Sequence, residues 1–371
     1  MANLDTREAA IFNISPDTLR RQLTEVYRAW GMPEADIETI VDNMVESDLR
    51  GIDSHGVGML PRYDGLRGDG ALNMTPDVRV VNDFGAVALI DADHGLGHVA
   101  GTRAMQLACD KAEQFGVGTV TARGSNHFGA AGVYATMAVE RGLIGLCTTG
   151  TTQRSVLPTF GKEPRFSTNP IAFAAPAKRN DPFSLDMATS TVAVGKLNIA
   201  RRAGKELPLG WAHDADGHPT TDPNVALNAV PKRLSPLGGS RELGSHKGYG
   251  LAVMVDILSS VLSGSFIGGY NLKSGDREQF INVGHFCLAL NPAAFRGEGV
   301  FEEELDDLID MLHGTDPVDP AQQVLVAGDP EHRERAIRME SGIPMTETLF
   351  NEVRQVAEAC GAPFILGNDA S

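Results

Sequence analysis

Thr121-Ala122-Arg123-Gly124-Ser125-Asn126-His127-Phe128-Gly129-Ala130-Ala131-Gly132-Val133-Tyr134 stands between an apolar run and a helical pattern. It follows the apolar run Val117 to Val120, which reads as a buried strand. It precedes a helical pattern with apolar residues at Val133, Met137 and Ala138, ending at Gly142. The stretch is therefore a strand-to-helix turn that presents Ser125, Asn126 and His127 together. Gly124 and Gly129 permit backbone angles that other residues resist. The N–H groups of a helix start favour anions, and a histidine there can exchange a proton near neutral pH. The plainer reading is a capped helix with a surface histidine, and the local pattern alone does not separate the two.

Composition narrows the field. A chain of 371 residues implies two or three compact units with sizeable cores. Hydrophobic content of 42% and charged content of 22% are those of a globular protein. A formal net charge of -16 leaves no basic stripe for nucleic acid and disfavours an anionic membrane surface. Cys109, Cys147, Cys287 and Cys360 lie far apart, with no CxxC and no zinc spacing, and read as buried thiols in a reducing compartment. The first residues carry acids and no signal pattern, and no apolar run approaches the ~20 residues that span a bilayer. The expectation is a cytoplasmic protein.

Outward from the central turn, Ser15-Pro16-Asp17 starts a helix, with Ser15 as cap. A second helix begins near Pro33 and ends at Gly51, directly before Asp53-Ser54-His55-Gly56. Strands are predicted at 78–81, 86–91, 143–149, 171–175, 183–186, 286–290 and 324–327. Helices are predicted at about 99–115, after Met187, at 251–262, 301–313, from Gly328-Asp329-Pro330, and at 346–360. Segment 204–245, rich in Gly and Pro, reads as loop. Strands and helices mix, so the class is α/β or α+β.

Several patterns carry chemistry. Gly95-x-Gly97-x-x-Ala100 fits a loose dinucleotide fingerprint. The next strand ends Thr121-Ala122-Arg123, without the acid that would bind a ribose hydroxyl, so a Rossmann site fails at its most informative position. Asp91, Asp93, His94 and His98 match no standard metal spacing, and no metal is expected. No Gly-x-Ser-x-Gly elbow accompanies Ser54, which weakens a serine hydrolase. Asp186-Met187-Ala188-Thr189-Ser190 and His246-Lys247-Gly248-Tyr249-Gly250 sit at predicted helix starts. Their hydroxyls, N–H groups and lysine suit a pyrophosphate, although capping alone would explain Thr189 and Ser190.

Taken in order, Asp53-Ser54-His55-Gly56-Val57, Ser125-Asn126-His127-Phe128-Gly129, Thr168-Asn169-Pro170, Asp186-Met187-Ala188-Thr189-Ser190, Thr220-Thr221-Asp222-Pro223, Pro236-Leu237-Gly238-Gly239 and His246-Lys247-Gly248-Tyr249-Gly250 resemble the malate/L-lactate dehydrogenase family. That family includes ureidoglycolate and sulfolactate dehydrogenases, 2,3-diketogulonate reductase and cyclic-imine reductases. The resemblance covers nearly the whole chain, from Ser15 to the final helix.

The resemblance implies an oxidoreductase dependent on NAD or NADP, with NAD preferred, usually a homodimer. Its substrate would be a 2-hydroxy or 2-oxo acid, a related alcohol or ketone, or a cyclic imine. A non-Rossmann cofactor domain at 130–285 would stand beside a domain built from both chain ends, 1–129 plus 286–371. By the same resemblance His55 is the proton donor or acceptor, with Ser54 beside it, and His127 lies at the nicotinamide and in some members is named as the catalytic base, so His55 or His127 relays the proton. Phe128, Gly129, Ala130, Ala131, Asp186, Met187, Ala188, Lys247, Gly248, Gly328 and Asp329 would contact the cofactor, and Thr168 the substrate. Many members carry an arginine four residues after the motif histidine, binding the substrate carboxylate. Here that position is Met59, and Arg62, one turn further on, is the candidate replacement. A cofactor-free hydrolase or lyase using Ser54 and the histidines is the alternative from another class.

Overall fold

The computed structural model describes residues 12–150, 153–269 and 281–368. Its strands are β1 (Phe12–Ile14), β2 (Arg79–Phe84), β3 (Val87–Asp91), β4 (Val117–Ser125), β5 (Ile144–Thr149), β6 (Ile171–Ala175), β7 (Phe183–Met187), β8 (Ala212–His213), β9 (Pro219–Thr220), β10 (Val283–Leu290) and β11 (Ile343–Met345). Its helices are α1 (Pro16–Ala29), α2 (Glu34–Leu49), α3 (Leu60–Gly68), α4 (Gly97–Phe115), α5 (Ala131–Val139), α6 (Val194–Arg202), α7 (Pro223–Asn228), α8 (Ser245–Asp256), α9 (Ala293–Arg296), α10 (Val300–His313), α11 (Asp329–Ser341) and α12 (Glu347–Cys360). The mixed α/β class expected from the sequence holds.

Seven strands form one sheet in the order β2-β3-β4-β10-β5-β6-β7. Only the β3–β4 pair is parallel within it. The register brings Asp91, Ser125, Thr149, Ile171, Met187 and Val283 to one end of the sheet. The turns carrying His94, His127, Thr168 and Ala188 follow or precede those residues, so this end of the sheet collects three of the seven motifs. Small residues let helices settle directly on the strands. A Cβ at Gly118 would fall 1.9 Å from the Ala108 carbonyl of α4, and one at Gly145 would fall 2.3 Å from the Ala135 carbonyl of α5. On the other face a Cβ at Gly284 would meet the Ser259 carbonyl at 1.8 Å, in the π-helical turn Ile257–Val261 that continues α8.

The main core joins α1, α2, α4, α5, the sheet and α12, and includes Ile14, Tyr63, Phe128, Cys147, Cys287 and Val353. A separate small core, with Val156, Leu197, Ala212, Leu227 and Leu234, lies under segment 204–245. That segment is therefore less irregular than its composition suggests, holding the β8–β9 hairpin and α7.

Two expected elements differ. The helix expected directly after Met187 begins only at Val194, because Thr189 is not a cap. Its hydroxyl donates to the Thr168 and Asn169 carbonyls at 3.0 and 3.1 Å, and Ser190 bridges to Pro236. The strand expected at 324–327 is absent. One bond, from Ser184 N–H to the Ala327 carbonyl, fastens that extended stretch beside β7 without a ladder.

Candidate active site

His55 and His127 meet in a parallel stack, ring centroids 5.5 Å apart and tilted by 25°. His55 follows the C-terminus of α2, and His127 follows β4. The loop carrying His55 is tied down three ways. Asp48, a buried carboxylate in the last turn of α2, accepts the Val57 N–H at 2.8 Å. Gly56 must be glycine, since a Cβ there would fall 2.0 Å from Asp48 Oδ1. Arg338 of α11, 1% exposed, reaches across to the Asp53 carboxylate and the Asp48 carbonyl, and binds Glu334 at 2.7 Å. Burial pushes the Asp48 carboxyl well above the usual carboxylate range, and the nearby Asp53 adds to the rise.

The hydrogen bonds set roles for the two rings. Ser54 Oγ lies 2.8 Å from His55 Nδ1, and His55 Nε2 makes no hydrogen bond among the described residues. At His127, Nδ1 faces both Tyr63 Oη at 2.8 Å and the Gly129 N–H at 3.3 Å. The Gly129 N–H can only donate, so Nδ1 is an acceptor, Tyr63 donates its proton to it, and the His127 proton sits on Nε2. Desolvation lowers the pKa of His55, and the Arg62 guanidinium lowers it further. His127 is pushed well down, first by burial and then by His55, Arg62, His98 and His285. Tyr63, fully buried, is raised far above the phenol range and keeps its proton.

Two further histidines lie behind this pair. His285 on β10 holds Ser125 Oγ at 2.7 Å and Thr149 Oγ1 at 2.8 Å, and stacks on Phe128 at 4.5 Å. His98 packs edge-on to Tyr63 at 5.6 Å, and both its ring nitrogens lack a partner among the described residues. Its Nε2 lies 2.9 Å from where a Cβ of Gly129 would be, and the φ of +76° at Gly129 also demands glycine. Burial brings both rings down to about 3. By sequence His98 is a candidate metal ligand with Asp91, Asp93 and His94, at no standard spacing. No cluster of three or more metal-ligand side chains occurs among the described residues.

The other residues singled out from the sequence fall into distinct places. Arg62, half-buried on α3, adds its charge to the histidine pair, whereas Met59 is buried in the main core. Phe128 and Ala131 also belong to that core, and Ala130 is buried as the residue preceding α5. Asp186 accepts the Gly132 N–H at 2.7 Å, at the start of α5. The residue is exposed at the surface, yet desolvation by the surrounding protein raises its carboxyl to about 6. Met187 pairs with Ile171, and Ala188 follows, half-buried.

Thr168 receives the Thr189 N–H, and Thr189 in turn receives the Leu237 N–H. Gly248 lies against Leu237, where a Cβ would fall 2.4 Å from its backbone, so this packing fixes the start of α8. Lys247 beside it is exposed, with no ion pair among the described residues. Gly328 rests against Ser184 of β7, and Asp329 caps its own turn through the Val326 N–H at 2.8 Å while pairing with His313 at 2.8 Å.

This donor set suits a nicotinamide dinucleotide: an uncommitted ammonium at Lys247, a glycine-lined helix start at Gly129 to Gly132, and the Asp186 carboxylate as an acceptor for ribose hydroxyls.

Tyr63, His98, His285, Asp48 and Arg338 were not read from the sequence as parts of the proton-transfer site. His285 had a signal, being the lone histidine in an otherwise apolar strand. Arg338 had none, since its helix is charged throughout.

A family model described as malate/L-lactate dehydrogenase matches residues 14–354. The chain belongs to the malate/L-lactate dehydrogenase family. A malate dehydrogenase of Pyrococcus horikoshii is 41% identical over 350 residues, 94% of this chain and 95% of that protein. An L-sulfolactate dehydrogenase of Methanocaldococcus jannaschii is 35% identical, over 94% of this chain and 97% of that one. The crystal structure of a malate dehydrogenase from Entamoeba histolytica matches with a TM-score of 0.87 at 33% identity, over 95% of this chain and 98% of that chain. This member of the family is thus an oxidoreductase of the dehydrogenase class, and the cofactor-free hydrolase alternative falls away. No helix among the described residues is long and apolar enough to cross a membrane.

Proposed function

We propose that this protein is a nicotinamide-dependent dehydrogenase of a 2-hydroxy acid, with His55 as the acid–base and Arg62 as the partner of the substrate carboxylate. The carrying observation is the stack of His55 on His127, ring centroids 5.5 Å apart, with Arg62 half-buried on α3 near enough to depress both rings. A substrate carboxylate beside the histidines would meet a guanidinium suited to bidentate pairing. Relatives named for malate and for L-sulfolactate act on 2-hydroxy acids with a second acidic group. A doubly acidic 2-hydroxy acid is therefore the first substrate class to test.

In the oxidative direction His55, kept neutral, takes the hydroxyl proton at Nε2 while Ser54 Oγ accepts from Nδ1–H. His127 offers its Nε2–H as a donor toward the oxygen. The bound dinucleotide supplies the hydride acceptor. In the reductive direction the protonated His55 returns the proton to the carbonyl oxygen. Lys247, Asp186 to Ala188, and Gly328-Asp329 belong to the cofactor side of this reading, and Thr168 to the substrate side.

The division into 1–129 plus 286–371 and 130–285, the homodimer and the cytoplasmic setting go with the same proposal. An exposed apolar stripe at Met254, Ile257, Val261 and Leu262 supports the homodimer. Light scattering that returned the mass of one chain would remove that part.

The test is a panel of malate, sulfolactate, lactate and a cyclic imine carboxylate, or their oxidised forms, followed at the reduced-nicotinamide absorbance with NAD(H) and NADP(H). Turnover of a hydroxy acid, lost in Arg62→Gln through a raised KM, supports the reading. Turnover of the cyclic imine alone would shift the substrate to that class, and no turnover with either cofactor would defeat the reading.

A further inference from the structure

His98 is the second residue of α4 and is wholly buried, so it touches no reacting atom. Neither of its ring nitrogens has a hydrogen-bond partner among the described residues. Burial keeps the ring neutral, so it carries one N–H and one lone pair. Buried polar groups left unmet are rare, and an N–H more so than an acceptor. The Nε2 and Cδ2 atoms of His98 face Gly129, lying 2.9 and 3.3 Å from where a Cβ of that residue would be. The His55 carbonyl oxygen lies 3.6 Å from the same point. Nε2 and that carbonyl therefore border one small space, which a side chain at 129 would fill. A single water, bonded to each at roughly 3 Å, would span it with the two polar partners a buried water needs. The same residues lead on to the reacting rings. Gly129 donates its N–H to His127 Nδ1 at 3.3 Å, and Tyr63, which His98 meets edge-on at 5.6 Å, donates to that nitrogen at 2.8 Å.

We propose that His98 is a positioning residue of the proton-transfer site, acting through one bound water that accepts from His98 Nε2–H and donates to the His55 carbonyl. The proposal rests on the reading of His55 as the acid–base. The water joins the start of α4 to the backbone of the His55 loop, in addition to the ties from Asp48 and Arg338. It helps to hold the His55 ring at its 5.5 Å spacing from His127, where its own Nε2 meets the hydroxyl proton. Reacting groups misplaced by about 1 Å can lose on the order of 10²-fold in rate, so a small tie of this kind acts on turnover.

The experiment has two arms. The first is a crystal structure of the wild-type protein at a resolution that shows ordered waters. An oxygen within about 3.2 Å of both His98 Nε2 and the His55 carbonyl is expected. A structure without it overturns the proposal, whatever the role of His55. The second arm is steady-state kinetics and NADH titration of His98→Gln, His98→Asn and His98→Phe. The Gln amide reaches the place of Nε2, the Asn amide only that of Nδ1, and Phe keeps a ring against Tyr63 without either nitrogen. His98→Gln should hold kcat within about threefold of wild type. His98→Asn and His98→Phe should each lose at least roughly tenfold in kcat, with the KM of the hydroxy acid and NADH affinity unchanged, because buried His98 touches neither ligand. If packing on Tyr63 were its whole role, the order would reverse, so His98→Phe equal to or better than His98→Gln overturns the proposal. His98→Asn carries the comparison if the Phe variant fails to fold. His55→Asn with wild-type turnover and pH limb would overturn the acid–base reading, and the positioning role of His98 with it, while the water seen in the crystal would stand.

Discussion

The phenol oxygen of Tyr63 lies 2.8 Å from Nδ1 of His127, across 64 residues of sequence, and fixes which nitrogen of that ring carries the proton. The Gly129 N–H makes the same demand from the other side. His127 consequently presents an N–H, not a lone pair, through Nε2, which leaves His55 as the ring with an available basic nitrogen.

Tyr63→Phe removes one of the two donors to Nδ1. A hydrogen bond of this kind is worth ~0.5–1.5 kcal/mol, so kcat should fall about 2- to 12-fold with little change in the KM of the hydroxy acid. Steady-state kinetics reads the split. An unchanged kcat would mean that Gly129 alone orients His127.

Burial and Arg62 lower the pKa of His55. Oxidation needs the neutral ring, so activity should hold as pH falls to 6.5, the ordinary imidazole value, and drop only below it. Arg62→Gln removes the neighbouring charge and should move this acidic limb upward, toward but not reaching 6.5, because burial remains. The limb is read from kcat/KM against pH. A limb that stays in place in the variant would separate Arg62 from His55.

Local signals made much of the frame legible. Ser15 and Thr346 cap their helices through side-chain oxygens, as such residues do wherever they precede a helical pattern. The placement of β10 between β4 and β5 was not legible, because its register is set by partners more than a hundred residues away. Thr189 misled for a physical reason: a hydroxyl that can cap a helix can equally donate to a carbonyl, and here Thr168 and Asn169 supply two. In the site, His55 and His127 stood out at loop mouths, but their stacking and the hold of Tyr63 and Arg338 are tertiary relationships with no local pattern.

Arg338 joins α11 to the His55 loop from a fully buried position, against an Asp53 carboxylate that is 46% exposed. Arg338→Met should cost about 3 kcal/mol, the low end for breaking a buried pair because Asp53 can still reach water. It should also lower kcat by loosening Ser54 and His55, while NADH affinity stays near wild type. Urea denaturation and a cofactor titration check the two halves. Full stability in the variant would show that Asp48 and Gly56 hold the loop without it.

His285, fully buried, is held down to about 3, and would titrate near 6.5 once unfolded. Between those values the unfolded chain binds more protons, so the stability contributed by the neutral ring is whole above 6.5 and is lost as pH falls, by up to ~1.4 kcal/mol per unit. The raised carboxyls of Asp48 and Asp186 act in the opposite sense, because their folded forms bind the proton first. Denaturation of wild type and His285→Gln at several pH values isolates the imidazole. The penalty of the substitution should be largest at about pH 7.5 and shrink toward about pH 5. A constant penalty would mean that His285 does not titrate in this way.

Direct hydride transfer at the His55–His127 site is tested most plainly by isotope tracing. The preferred hydroxy acid is prepared with deuterium on the carbon bearing the hydroxyl and oxidised in ordinary water with the preferred nicotinamide cofactor. The reduced cofactor is then isolated and weighed by mass spectrometry. One deuterium per reduced nicotinamide is expected, since His55 handles only the hydroxyl proton. Reduced cofactor without the label, with the deuterium recovered in solvent, would contradict hydride transfer.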